Sequence, residues 1–136
     1  MRPYEYRAQY YETDQMGVIH HSNYIRWMES ARIDYLEQLG ISYTDMENRG
    51  VVSPVVEVSG RYRSMVHFGD TVEITVKVEK YNGVKLIFSY EITDKATGEL
   101  RFTGSSSHCF IDRKGNILSM KKTFPQIHQL LAEVIN

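Results

Sequence analysis

Polar and aromatic residues alternate at the start of the chain. Tyr4, Tyr6, Ala8 and Tyr10 fall on one side of a period-two pattern, and Glu5, Arg7 and Gln9 on the other, which predicts a first strand over residues 4–11. Residues 12–21 are too polar and irregular for a core element and too short for a disordered linker, so they read as an ordered loop. From Ser22 the spacing becomes helical, with Tyr24, Trp27, Met28, Ala31, Tyr35 and Leu39 at steps of three or four. Ser22 is placed to cap this helix and Gly40 to end it in a left-handed turn. The helix is then about 27 Å long at 1.5 Å per residue. Ile25, Ile33 and Leu36 widen its apolar stripe, so it is expected to be enclosed on more than one side.

A polar connection containing Asp45, Glu47 and Asn48 leads into four further segments with strand character, over residues 51–63, 71–79, 84–93 and 99–111. In the second, Val72, Ile74, Val76 and Val78 oppose Thr71, Glu73, Thr75 and Lys77. The links Asn82-Gly83, Thr97-Gly98 and Lys114-Gly115-Asn116 are short and favour antiparallel hairpins. Thr123, with Pro125 and Gln126 behind it, announces a closing helix whose Ile127, Leu130, Leu131 and Val134 keep helical spacing. The order predicts an α+β architecture, one domain over residues 1–136, in which an antiparallel sheet buries its apolar face on the long helix.

Composition narrows the classes of function. Sixteen basic and seventeen acidic residues leave a formal charge of −1, and no basic block is present to neutralise phosphates, so a nucleic-acid partner is not expected. No apolar run approaches the ~20 residues of a membrane-spanning helix. The first residues carry neither the apolar core nor the cleavage site of a signal peptide, and the single Cys109 suits a reducing compartment, so a cytoplasmic location is expected.

The segment Tyr10-Tyr11-Glu12-Thr13-Asp14-Gln15-Met16-Gly17-Val18-Ile19-His20-His21-Ser22-Asn23-Tyr24, running into Arg26-Trp27-Met28-Glu29, resembles the active-site segment of the 4-hydroxybenzoyl-CoA thioesterase family of hotdog-fold acyl-CoA thioesterases. The Tyr62–Asp70 stretch, ending Phe68-Gly69-Asp70, matches a second recurrent feature, and the resemblance covers essentially the whole chain. It implies a five-stranded antiparallel sheet wrapped around the Ser22–Leu39 helix. It also implies a homodimer or homotetramer, with subunits paired edge to edge and active sites at the dimer interface. In that family the residue matching Asp14 is the catalytic carboxylate, and the backbone N–H matching His21 is the oxyanion donor. A tyrosine matching Tyr10 lies near the carboxylate in some members.

The chemistry suits these residue types. A thiolate, with a thiol pKa near ~8.5, leaves readily, so the catalyst mainly supplies an oxygen nucleophile and stabilises an oxyanion. A carboxylate such as Asp14 activates water or attacks the carbonyl itself. The first amides of a helix lack intrahelical partners and sit at the positive end of its dipole, which suits His21. Gly17 is expected to accept positive φ and to make room for a pantetheine arm or acyl chain, and Tyr24 to pack in the core while bordering an acyl pocket. Arg61, Arg63 and Lys85, with Ser64 as a neutral donor, are candidates for the coenzyme A phosphates. No metal or other cofactor is expected, coenzyme A being part of the substrate. Adjacent histidines such as His20 and His21 seldom converge on one ion. His67, His108, His128 and Cys109 read as structural, and Arg113-Lys114 and Lys121-Lys122 as solvated surface. A hotdog dehydratase or hydratase would place its His and carboxylate differently. The rival from another class is a non-catalytic acyl-CoA or acyl-carrier-protein binding module, to which an anion beside the carbonyl is of no use.

Overall fold

The computed structural model describes residues 1–135. Strands β1 (Tyr4–Arg7), β2 (Val55–Tyr62), β3 (Thr71–Tyr81), β4 (Lys85–Asp94) and β5 (Leu100–Cys109) form one antiparallel sheet in the order β1-β3-β4-β5-β2. The long helix α1 (Ser22–Gln38) lies in its concave face, followed by the short helix α2 (Tyr43–Asn48). Helices α3 (Met120–Thr123) and α4 (Pro125–Ile135) close the described chain. The core is the layer between α1 and the sheet. Trp27, Met28, Ala31, Tyr35 and Leu36 of α1 meet Val72, Ile74, Leu86, Phe88, Tyr90, Ile92 and Phe102, all buried. Along β4, and along β3 as far as the irregularity after Val78, the period-two pattern matches burial, since one pleat face looks at α1 and the other at solvent.

Four local expectations are corrected. The first strand stops at Arg7 rather than 11. Ala8 still exchanges backbone hydrogen bonds with Gly69 and Asp70, but the Gln9 amide then donates to the Glu12 carboxylate and the chain coils into a 3₁₀ turn over Tyr10–Glu12. Tyr10 is thereby turned away from Tyr4 and Tyr6 and is 75% exposed, its ring edge-on to Phe68. Ser22 is the first helical residue and not the cap. His21 holds that position without a side-chain cap, while the Ser22 amide donates to Nδ1 of His20 at 3.1 Å. The polar connection contains α2, because the Ser42 hydroxyl accepts the Asp45 amide. Thr123 ends α3 instead of capping α4.

Strand β2 carries the expected alternation, yet every residue from Val55 to Tyr62 is exposed, because it is the edge strand and no second element covers it. Where β2 runs beside β5, Gly60 faces Gly104. A methyl group at Gly60 would overlap the Phe102 ring, and one at Gly104 would lie 2.6 Å from Sδ of Met28. The two glycines let an aromatic ring and a thioether seat directly on the sheet at the end where α1 begins.

Candidate active site

The loop from Thr13 to His21 is a tight turn tied down at both ends. The Asp14 amide donates to the Val18 carbonyl at 2.8 Å and the Gly17 amide to the Asp14 carbonyl at 3.1 Å, and the Ile19 amide reaches Val66 at 2.9 Å. Gly17 adopts φ +79°, and the space a side chain would occupy is empty. The backbone conformation therefore calls for glycine here, and no protein atom crowds the position.

Asp14 is half turn former and half free. Its Oδ1 accepts the Met16 amide at 2.8 Å and the Val18 amide at 3.4 Å. Among the described residues Oδ2 receives no protein donor. The amides around the start of α1 divide in the same way. That of His20 donates to the Glu12 carbonyl, that of Ser22 to His20 Nδ1 and that of Asn23 to the His20 carbonyl. The His21 amide donates to no protein acceptor among the described residues.

Asp14 and His21 line one cleft of about 310 Å³, together with Met16, Val18, Ile19, Tyr24, Tyr62, Arg63, Ser64 and Met65. The walls are mainly apolar. A residue with one free carboxylate oxygen and a residue with a free peptide N–H thus stand around the same mainly apolar space. Burial raises the Tyr24 phenol above its usual pKa, so it stays protonated as part of the wall. The His21 imidazole is exposed and lies 4.1 Å from that of His20, ring over ring. Among the described residues no cluster of His, Cys, Asp or Glu is disposed to hold a metal ion.

The other anticipated residues separate. Arg63 and Ser64 line the cleft, and Arg61 and Arg63 also line an open hollow of about 460 Å³ on the outer side of the sheet, with Ser59, Gly60, Thr103, Gly104 and Ser105. The Ser64 hydroxyl donates its one proton to the Leu100 carbonyl at 2.9 Å and accepts from Arg101 at 3.2 Å, so it has no donor left for a phosphate. Lys85 opens β4 opposite Cys109, whereas the cleft lies by Tyr62 and Phe102. Phe102 and Cys109 are seven residue steps apart along β5, roughly 23 Å at the rise of a strand, so one protomer does not bring Lys85 to the cleft. Tyr10 is not among its lining residues either.

Two residues of the site lie in the matched segments, yet the sequence assigned them no role. Glu12, 5% exposed, accepts from Tyr6 Oη at 3.0 Å, the Gln9 amide at 2.8 Å and Trp27 Nε1 at 2.9 Å. Its own carbonyl takes the His20 amide and Asn23 Nδ2. One residue thus fastens the loop to α1 and α1 to β1. Tyr62, from the edge strand, donates its hydroxyl to the His21 carbonyl at 2.8 Å.

Comparison with known proteins bears on the fold and the class of enzyme. Residues 9–132 match the thioesterase-like superfamily. The chain is 40% identical over 125 residues to YneP of Bacillus subtilis, assigned provisionally to the acyl-CoA thioesterases, covering 91% of this chain and 90% of that one. A Staphylococcus aureus structure described as a DHNA-CoA thioesterase superimposes with a TM-score of 0.94 at 37% identity, over 98% of this chain and 89% of that one. A Thermus thermophilus protein of undescribed function, TT1821, superimposes at 0.88 with 32% identity, over 98% and 99%. The chain belongs to the thioesterase-like superfamily and is a hotdog-fold enzyme of the thioester hydrolase class.

Proposed function

We propose that this chain hydrolyses an acyl-CoA thioester to a carboxylic acid and free coenzyme A in the cleft at the start of α1. The observation that carries this reading is that the free oxygen of Asp14 and the uncommitted amide of His21 belong to residues sharing that cleft. The thioester carbonyl oxygen accepts from the His21 N–H, which stabilises the negative charge it gains as the carbon becomes tetrahedral. Two routes use Asp14. As a base, its carboxylate takes a proton from water, the hydroxide adds to the carbonyl carbon, and the C–S bond breaks as the thiolate leaves and recovers the proton. As a nucleophile, it forms an acyl–aspartyl anhydride with loss of the thiolate, and water then hydrolyses the anhydride.

Arg63, shared by the cleft and the outer hollow, with Arg61 beside it in that hollow, marks the way out for the pantetheine arm and offers the phosphates charged donors. No metal or redox cofactor enters either route. Because the cleft opens beside the fully exposed strand β2, a second copy paired along that edge would wall it in, as a homodimer or as the building block of a homotetramer.

Thiol release from a panel of acyl-CoAs tests the reading. Asp14→Asn is expected to lower kcat by about 10²–10⁴-fold with unfolding temperature little changed. Binding of acyl-CoA without any release would favour the non-catalytic module instead. A single turnover in ¹⁸O-water distinguishes the routes, since label enters the carboxyl group of Asp14 only through the anhydride.

A further inference from the structure

Tyr62 stands apart from the rest of β2. The strand is exposed along its length, yet the Tyr62 ring meets Tyr24 at 4.9 Å and 81° and Phe102 at 5.0 Å and 65°, both edge-to-face contacts. These contacts aim its hydroxyl at the His21 carbonyl, 2.8 Å away. That carbonyl is adjacent in the chain to the amide proposed to bind the oxyanion.

The peptide that carries the His21 amide is already held at its other end, where the His20 carbonyl accepts the Asn23 amide at 3.0 Å and Asn23 Nδ2 at 3.4 Å. His21 itself has helical φ and ψ but no side-chain cap, and its C-terminal peptide is held by two side chains, the Ser22 amide donating to His20 Nδ1 at 3.1 Å and the His21 carbonyl accepting from Tyr62. A donor that must meet a developing oxyanion within a few tenths of an ångström needs both flanks fixed beforehand. Burial raises the Tyr62 phenol above its usual pKa, so it keeps the proton it donates through the neutral range.

We propose that Tyr62 is a positioning residue which, through its hydrogen bond to the His21 carbonyl, holds the His21 amide in the orientation that binds the oxyanion. This rests on the functional reading above. Strand β2 thereby does more than complete the sheet, because it reaches across 41 residues of sequence to set the geometry at the start of α1.

Tyr62→Phe keeps the ring contacts and deletes only the hydroxyl. Positioning predicts a fall in kcat of roughly tenfold with KM within about twofold, because the lost interaction matters mainly in the transition state. Two coenzyme A analogues supply a readout that a general structural role would not move. A trifluoromethyl ketone, which adds water to give a tetrahedral gem-diol that becomes an oxyanion on losing a proton to Asp14, should bind the variant about tenfold more weakly. A plain thioether without an oxyanion should bind as before. Unchanged kcat, equal weakening of both analogues, or a variant that no longer unfolds cooperatively would each overturn the proposal, the last because the hydroxyl would then support the whole fold. The outcomes for Asp14→Asn keep the two readings apart. If Asp14→Asn is inactive while Tyr62→Phe is normal, only the positioning role fails. If Asp14→Asn turns over normally, the functional reading fails.

Discussion

The indole Nε1–H of Trp27 donates to Oε2 of Glu12 at 2.9 Å, with both side chains buried. The other carboxylate oxygen accepts Tyr6 and the Gln9 amide, so the loop that carries Asp14 hangs from the core through one acidic residue. Burial, followed by the Tyr11 and Glu12 side chains, holds the Tyr6 phenol far above its usual pKa, so it remains a donor.

Glu12→Ala leaves three donors without their acceptor, and unpaired buried donors cost about 1–3 kcal/mol each before relaxation. A net loss of about 2–4 kcal/mol in urea unfolding is expected. Glu12→Gln keeps the shape but turns an N–H toward one of the donors, and should cost roughly half as much. A Glu12→Ala protein as stable as the parent would mean that the loop does not depend on this anchor.

Arg63→Ala should raise KM for an acyl-CoA about 3–10-fold at low salt and leave kcat nearly unchanged, with the difference shrinking as salt screens the phosphates. With an acyl N-acetylcysteamine thioester, which has no phosphates, the variant and parent should match. A KM defect of equal size on the short substrate would assign Arg63 to the acyl end of the cleft.

Gly60→Ala should destabilise the protein by about 1–3 kcal/mol, because the added methyl runs into the Phe102 ring instead of a flexible chain end. Combining it with Phe102→Leu should recover part of that loss in thermal unfolding. Simple additivity of the two changes would remove steric conflict as the cause.

His108 predicts the acid limit of stability. It sits in a buried chain in which Nη1 of Arg32 donates to Tyr90, the Tyr90 hydroxyl hydrogen-bonds Ser106, and Ser106 hydrogen-bonds Nε2 of His108 at 2.8 Å. Burial, and then the Arg32 charge, push the imidazole down to about 4. Below the ordinary pKa near ~6.5 the unfolded chain takes up a proton that the folded chain refuses, so stability falls as pH drops from about 6.5 toward 4. The expected loss is up to about 3 kcal/mol. His108→Gln should flatten this slope in unfolding measured at several pH values, and an unchanged slope would place the titrating group elsewhere.

Much of this was legible in the order of residues. Apolar periodicity is a property of consecutive positions, so α1, β3 and β4 could be placed from Tyr24-to-Leu39 spacing and from Val72, Ile74, Leu86 and Phe88. The segment from Asp14 to Tyr24 likewise pointed, through its resemblance to the family's active-site segment, to the cleft proposed above as the reacting end. Tyr10 was misplaced because its alternation with Ala8 is local, but the Glu12 carboxylate draws the chain out of the strand.

What the tertiary structure alone decided are the meetings between distant segments. Tyr62 reaches His21, Trp27 reaches Glu12, and Arg32 joins Tyr90 and, through it, His108, only because the sheet order sets β2 beside β5 and lays α1 across them. The same order carries Lys85 to the far end of the sheet while keeping Arg63 at the cleft. Local patterns state which face of an element is apolar. Which faces meet is settled by how all of them share one core, and that is a property of no single stretch of chain.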